Sequence, residues 1–173
     1  MIRESSTAAT SPATGDSLAA LTQALADLTA GADTGGAMIA AIREVVPRLS
    51  LPPARRSLIR RLWGRVPGEQ AGPDDAVVAM TGRLRDLIAH AEGRAATIDW
   101  IADQAKALAV ANGGEESVRL QLLAAAQAAL RAEHAAAAWG RHFVETTLPL
   151  WRATQNTVAR HAILTAALKP EDQ

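Results

Sequence analysis

Apolar residues recur along this chain at steps of three and four, the spacing that lines one face of an α-helix. Leu18, Leu21, Leu25 and Leu28 form the first such row. Asp16 or Ser17 is placed to cap it, and "AGADTGG", Ala30 to Gly36, breaks it. A second short row, Met38, Ile39, Ile42, Val45 and Val46, should end before Pro47, because a residue preceding proline is pushed out of the α region. Beyond the connector "SLPP", the stretch "LIRRLWGRVP" predicts a helix over 54–64. Its Leu58, Ile59, Leu62, Trp63 and Val66 share one broad face, and "PGEQAGP", Pro67 to Pro73, reads as a loop.

The pattern then lengthens. Asp74 or Asp75 should open a helix that runs to about Ala111, with Val77, Met80, Leu84, Leu87, Ala91, Ala95, Ile98, Ile101, Ala105 and Leu108 along its seam. Such steps suit a coiled-coil seam, and at 1.5 Å per residue the helix would reach roughly 55 Å. "NGG", Asn112 to Gly114, is the expected stop and turn. A second long helix follows from Glu115, its two leading acids at the positive end of the helix dipole. Its seam reads Val118, Leu122, Ala125, Ala129, Ala132, Ala136, Trp139 or Gly140, and Phe143. The short turn makes the pair an antiparallel hairpin. Pro149 should interrupt or kink the chain near Thr147, ahead of a last helix, Trp151 to Leu168, that carries Thr154, Val158, Ala162 and Thr165. No alternating apolar run bounded by turn residues reads as a strand. The expected fold is therefore all-α: an elongated helical bundle built on a long antiparallel coiled-coil-like hairpin, with short N-terminal helices. Residues 1–15 are expected to be a disordered tail and 16–173 one helical domain, with short helices in 16–66 and the hairpin plus C-terminal helix in 74–168.

Composition tempers this picture. Forty of the 173 residues are alanine, and one Phe, four Trp and no Tyr supply all the aromatic bulk. Alanine favours helix but buries little area, so the core should be modest and the helix contacts close. The absence of cysteine excludes disulfides, thiolate nucleophiles and cysteine-bound metals, and fits a cytoplasmic protein. Formal net charge is zero, which removes any whole-molecule attraction to nucleic acid. No stretch has the length and apolarity of a transmembrane helix, and the N-terminus lacks a signal-peptide core.

Candidate chemistry is sparse. The sequence contains no P-loop, dinucleotide-binding glycine motif, zincin motif or nucleophile elbow. His90, His134, His142 and His161 lack the Glu-x-x-His pattern of a di-metal bundle and read as exposed or boundary polar residues. Asp99 and Asp103, with Lys106 three further on, read as a solvated face with an Asp–Lys pair. Trp63, Trp100, Trp139 and Trp151 are expected to pack with the indole N–H at a boundary; Trp139 and Phe143 share a face and thicken an alanine-lined seam. The expectation is a non-enzyme with no catalytic residue, cofactor or metal.

One asymmetric feature remains. Arg48, Arg55, Arg56, Arg60, Arg61 and Arg65 crowd the stretch around Trp63. They suit the solvated rim of an amphipathic helix, a contact with anionic lipid, or an anion such as an oxyanion or nucleic acid. The predicted helix has about three turns and no second basic stripe, which argues against nucleic acid. The candidate anion- or membrane-facing residues are Arg55, Arg56, Arg60, Arg61 and Arg65, with Leu62 and Trp63 as the apolar contact.

The order of parts resembles the toxic-anion (tellurite) resistance family of TelA-like proteins. "TGGAMIAAIREVV" leads to the basic "SLIRRLWGRV", then to the long heptad helix "DDAVVAMTGRLRDLIAHAEGRAATIDWIADQAKALAVA", a turn, a second long helix and the Ala/Thr-rich "LWRATQNTVARHAILTAAL". The likeness covers Gly35 to Leu168. "VETTLPLW" stands where that family has an Asn-rich stretch, and the chain is shorter than its usual members. The resemblance implies a non-enzymatic cytoplasmic stress protein, peripheral to the inner membrane, that works through self-association or a protein partner. A phasin-like protein that coats an apolar surface is the alternative expectation.

Overall fold

The computed structural model describes residues 13–49, 73–108 and 113–168, and these form an all-α helical bundle. Helix α1 spans Ala13–Thr29, α2 Thr34–Leu49, α3 Pro73–Ala107 and α4 Gly113–His142. A π-helical turn, Phe143–Thr147, carries α4 into α5, Leu148–Ala153, and α6 spans Thr157–Ala167. Among the described residues there is no strand. The helices sort into two compact units. One joins the described residues of Met1–Ala32 to those of Arg94–Ala132, and the other joins those of Asp33–Gly93 to those of Glu133–Gln173.

In the first unit α1 packs on the C-terminal half of α3 and the N-terminal half of α4. Leu18 and Leu25 are buried with Ile98, Ile101, Ala102, Ala105, Leu122 and Ala126, and Leu21 and Leu28 close over the edge. The expected leucine row of α1 is thus its packed face. Burying each large aliphatic side chain is worth about 1.5–3 kcal/mol; the alanines between them let the helices come close. In the second unit Met38, Ala41, Ile42 and Val45 of α2 meet Val77, Met80, Leu84, Ile88 and Ala91 of α3, Ala137 of α4, and Phe143, Leu148, Trp151 and Leu164 from the C-terminal elements. Glu92 of α3 pairs with Arg141 of α4 in this unit, while Arg119 of α4 reaches the Lys106 carbonyl in the other. Residues later in α3 meet residues earlier in α4, so the hairpin is antiparallel as expected. The α3 seam also follows expectation: Val77, Met80, Leu84, Ala91, Ala95, Ile98, Ile101 and Ala105 are buried, and Leu87 and Leu108 are half-buried.

Several boundaries differ. α1 begins at Ala13, inside the segment expected to be a tail. α2 continues through Pro47 to Leu49; a proline in the last turn forfeits a single intrahelical bond, and both Pro47 and Arg43 four residues back are exposed. Pro149 does not stop the helix either. It has no N–H, and its ring would strike the carbonyl of Glu145 in a regular α-turn. The chain widens instead, and the Leu148 N–H donates to the Phe143 carbonyl five residues back. The break comes at Thr154–Asn156, where the backbone is extended and the Asn156 side chain accepts from the N–H groups of Val158 and Ala159 as N-cap of α6. Trp151 to Leu168 is therefore two helices, with Val158 exposed and Leu164 buried.

The α4 seam is rotated by about one residue from expectation. Ala126, Glu133, Ala137 and Gly140 are buried with Leu122 and Phe143, whereas Val118, Ala125 and Ala132 are exposed. Runs of alanine at 124–126 and 135–138 carry no facial information, so larger residues and tertiary contacts set the stripe. The expected helix over 54–64 lies outside the described residues, as does the expected loop Pro67 to Pro73 except for its last residue, Pro73, which is instead the first residue of α3.

Candidate functional site

The candidate site residues from the sequence, Arg55, Arg56, Arg60, Arg61, Arg65, Leu62 and Trp63, all lie outside the described residues. Two features within the described residues depart from ordinary packing. They are a buried carboxylate in the second unit and an exposed tryptophan in the first.

The carboxylate belongs to Glu133, which is 6% exposed in the core stripe of α4. Thr34, the first residue of α2 and itself buried, donates its hydroxyl to Glu133 Oε2 at 3.0 Å. The start of α2 is fixed by the preceding residue. Asp33 accepts the Gly36 N–H on Oδ1 at 2.7 Å, and its carbonyl accepts the Ala37 N–H at 2.9 Å, the two bonds of an N-cap. A Cβ on Gly36 would lie 2.0 Å from Asp33 Oδ2, so any other residue there would displace the capping carboxylate. The turn before it uses Gly31 at φ +70°, a left-handed conformation natural to glycine. Cap and turn together present Thr34 to Glu133.

That bond joins α2 to α4. The four histidines are all exposed. Among the described residues no group of three or more His, Cys, Asp or Glu side chains could hold a metal. Asp99 and Asp103 are exposed, and Asp103 pairs with Lys106 at 2.9 Å. The hydrogen bond from Lys106 to Asp103 holds that ammonium above the ordinary lysine value, aided by the charge of Asp103, opposed by slight desolvation, and aided further by Asp99. The expected solvated Asp–Lys face is what the structure has.

The tryptophans divide. Trp151 is buried, and the Arg160 guanidinium sits 4.4 Å from its ring centroid while Nε donates to the Trp151 carbonyl at 3.1 Å. A second bond from Arg160 to the Arg152 carbonyl, at 3.4 Å, satisfies the end of α5, whose last carbonyls have no intrahelical partner. Trp139 stacks on the buried Phe143 with ring centroids 5.8 Å apart, as the shared face implies. Trp100 breaks the packing expectation: it is 57% exposed. Its position at 100° per residue puts it nearly opposite the buried row Ile98, Ala102 and Ala105, and no sequence signal other than that offset marks it. Leu120 and Val118 of α4 are also exposed. No protein-family model matches the chain, and no match exists among curated proteins or solved structures.

Proposed function

We propose that this chain is a non-enzymatic helical association protein of stress resistance, acting through contacts made by its helix surfaces. The observation that carries the association reading is Trp100. A large aromatic left 57% exposed on a helix face forfeits the burial that tryptophan usually gains, and tryptophans in such positions are enriched where partners dock. The toxic-anion context comes from the TelA-like order of segments, and the basic stretch around Trp63 supplies the anionic contact. Arg55, Arg56, Arg60, Arg61 and Arg65 would face lipid phosphate or oxyanion, with Leu62 and Trp63 inserted beside them. No helix among the described residues is long and apolar enough to cross a membrane, so a membrane contact through those residues would be peripheral.

The test uses a strain lacking the gene, grown on a graded tellurite series. The wild-type chain should raise the tolerated concentration several-fold and Trp100→Ala should lose most of that gain. Equal growth with and without the wild-type chain would remove the reading. Leu120, Leu150 and Val158, all more than half exposed, support the phasin-like alternative. Recovery of the chain in a polyester-granule fraction, with no effect on tellurite tolerance, would favour it.

A further inference from the structure

The buried row at the end of α4 does not keep a regular helical spacing. Phe143, Leu148 and Trp151 are 1%, 1% and 5% exposed and share one core, yet they stand five and then three residues apart. At 100° per residue, a regular helix continued from Phe143 would bring Thr147 and Leu150 onto its face and turn Leu148 about 140° away. The structure has the reverse. Leu150 is 55% exposed, and Thr147 is only half-buried. Each inward residue of α5 comes one place later than a regular helix would put it. The π-helical turn Phe143–Thr147 lies between the two registers. Its bond from the Leu148 N–H to the Phe143 carbonyl sets residues five apart one above the other.

The extra residue has consequences on both sides of α5. Inward, Trp151 reaches the core that holds Leu164 of α6, and the Arg160 guanidinium of α6 sits 4.4 Å from its ring centroid. Outward, Leu150 rather than Leu148 is left on the surface. Glu145 and Thr146, on the turn itself, are exposed, so the turn buries neither of them. Pro149 removes the competing state. It has no N–H to close a regular turn onto Glu145, and its ring would meet that carbonyl. A single π-helical turn inside an α-helix is rare; here the local sequence and the core both select it.

We propose that the π-helical turn is a one-residue register insert, kept open by Pro149, that turns α5 so that Leu148 and Trp151 enter the core and Leu150 faces outward. It stands apart from the association reading above, because it needs no partner. Removing Thr146 tests it. With one residue fewer, Phe143 and Leu148 are four apart, the spacing of a regular α-helix, and the faces of α5 are kept. Pro149 then falls inside a regular turn with its ring against the Val144 carbonyl, so the shortened chain also needs Pro149→Ala. The chain lacking Thr146 and carrying Pro149→Ala should melt cooperatively, with a thermal midpoint near that of the wild type. The chain lacking Thr146 alone should melt several degrees lower. In the full-length chain Pro149→Ala should raise the midpoint far less than it does in the shortened one.

The chain has no cysteine, so a single Leu150→Cys reports the outward face through its rate of reaction with a maleimide. Labelling should be fast in the full-length protein and equally fast in the shortened Pro149→Ala protein. Slow labelling of the shortened protein, or loss of its cooperative melt, overturns the proposal, because the deletion has then turned α5 away from its place. So does an effect of Pro149→Ala that is equal in both lengths. Deleting Ala135, an exposed residue in the regular part of α4, is the comparison. It should rotate everything after it by about 100° and lower the midpoint sharply; equal tolerance of the two deletions would overturn the insert as well.

Discussion

Glycine shows how one residue type serves opposite ends in this chain. Gly140 is needed where Met38 and Ile88 press on α4, so Gly140→Ala should cost about 1–3 kcal/mol through overpacking, seen as a lower thermal midpoint. Gly82→Ala and Gly93→Ala meet open space and should raise the stability of the chain by about 0.5–1 kcal/mol each. Opposite signs at these positions would show that the helix contacts are wrongly placed. The buried pair gives a second residue-level expectation. Thr34→Val removes a hydroxyl donor from Glu133 and should cost about 1–3 kcal/mol, since a buried acceptor loses a partner; denaturant unfolding reads it. Lys106 offers the contrast. Its raised pKa means that its contribution is present below the unfolded lysine value and fades as pH climbs through the higher folded value. The pair is exposed and screened by salt. Lys106→Met should therefore change stability only slightly, with any difference confined to low salt and absent at strongly alkaline pH.

Among the elements, the sequence determined type more firmly than limits. The α3 seam was legible because Met, Leu and Ile recur with no competing face. The α4 seam was not, because alanine fills both its buried and exposed positions at 124–126 and 135–138, and a buried Glu133 is opposite to what hydrophobic spacing selects. Pro47 and Pro149 were poor stop signals: the first lies in a final turn, and the second is absorbed by the π-helical bond from Leu148 to Phe143. The real stop, Asn156, is a capping residue that the apolar pattern runs across. Asn156→Ala deletes the acceptor for Val158 and Ala159 and should cost about 1 kcal/mol, with hydrogen exchange in α6 accelerating before that in α3. Unchanged protection in α6 would mean that Leu164, buried against the unit's core, holds the helix without its cap. As for sites, the sequence singled out the arginines around Trp63, which lie outside the described residues, while Trp100 became conspicuous only once its burial was known.

At the level of the whole molecule, the chain has a core poor in aromatics and long helices whose outward sides are small and mixed in charge. The first unit buries leucine, isoleucine and alanine side chains, and the second adds methionine, valine, Phe143 and Trp151; Trp100 lies outside both. A protein that works by association should convert that outlay into contact area. The most direct measurement is growth of a strain lacking the gene on a graded tellurite series, complemented by the wild type beside Trp100→Ala. The account predicts that the wild type raises the tolerated concentration several-fold and that the variant loses most of that gain. Equal growth with and without the wild-type chain would contradict it.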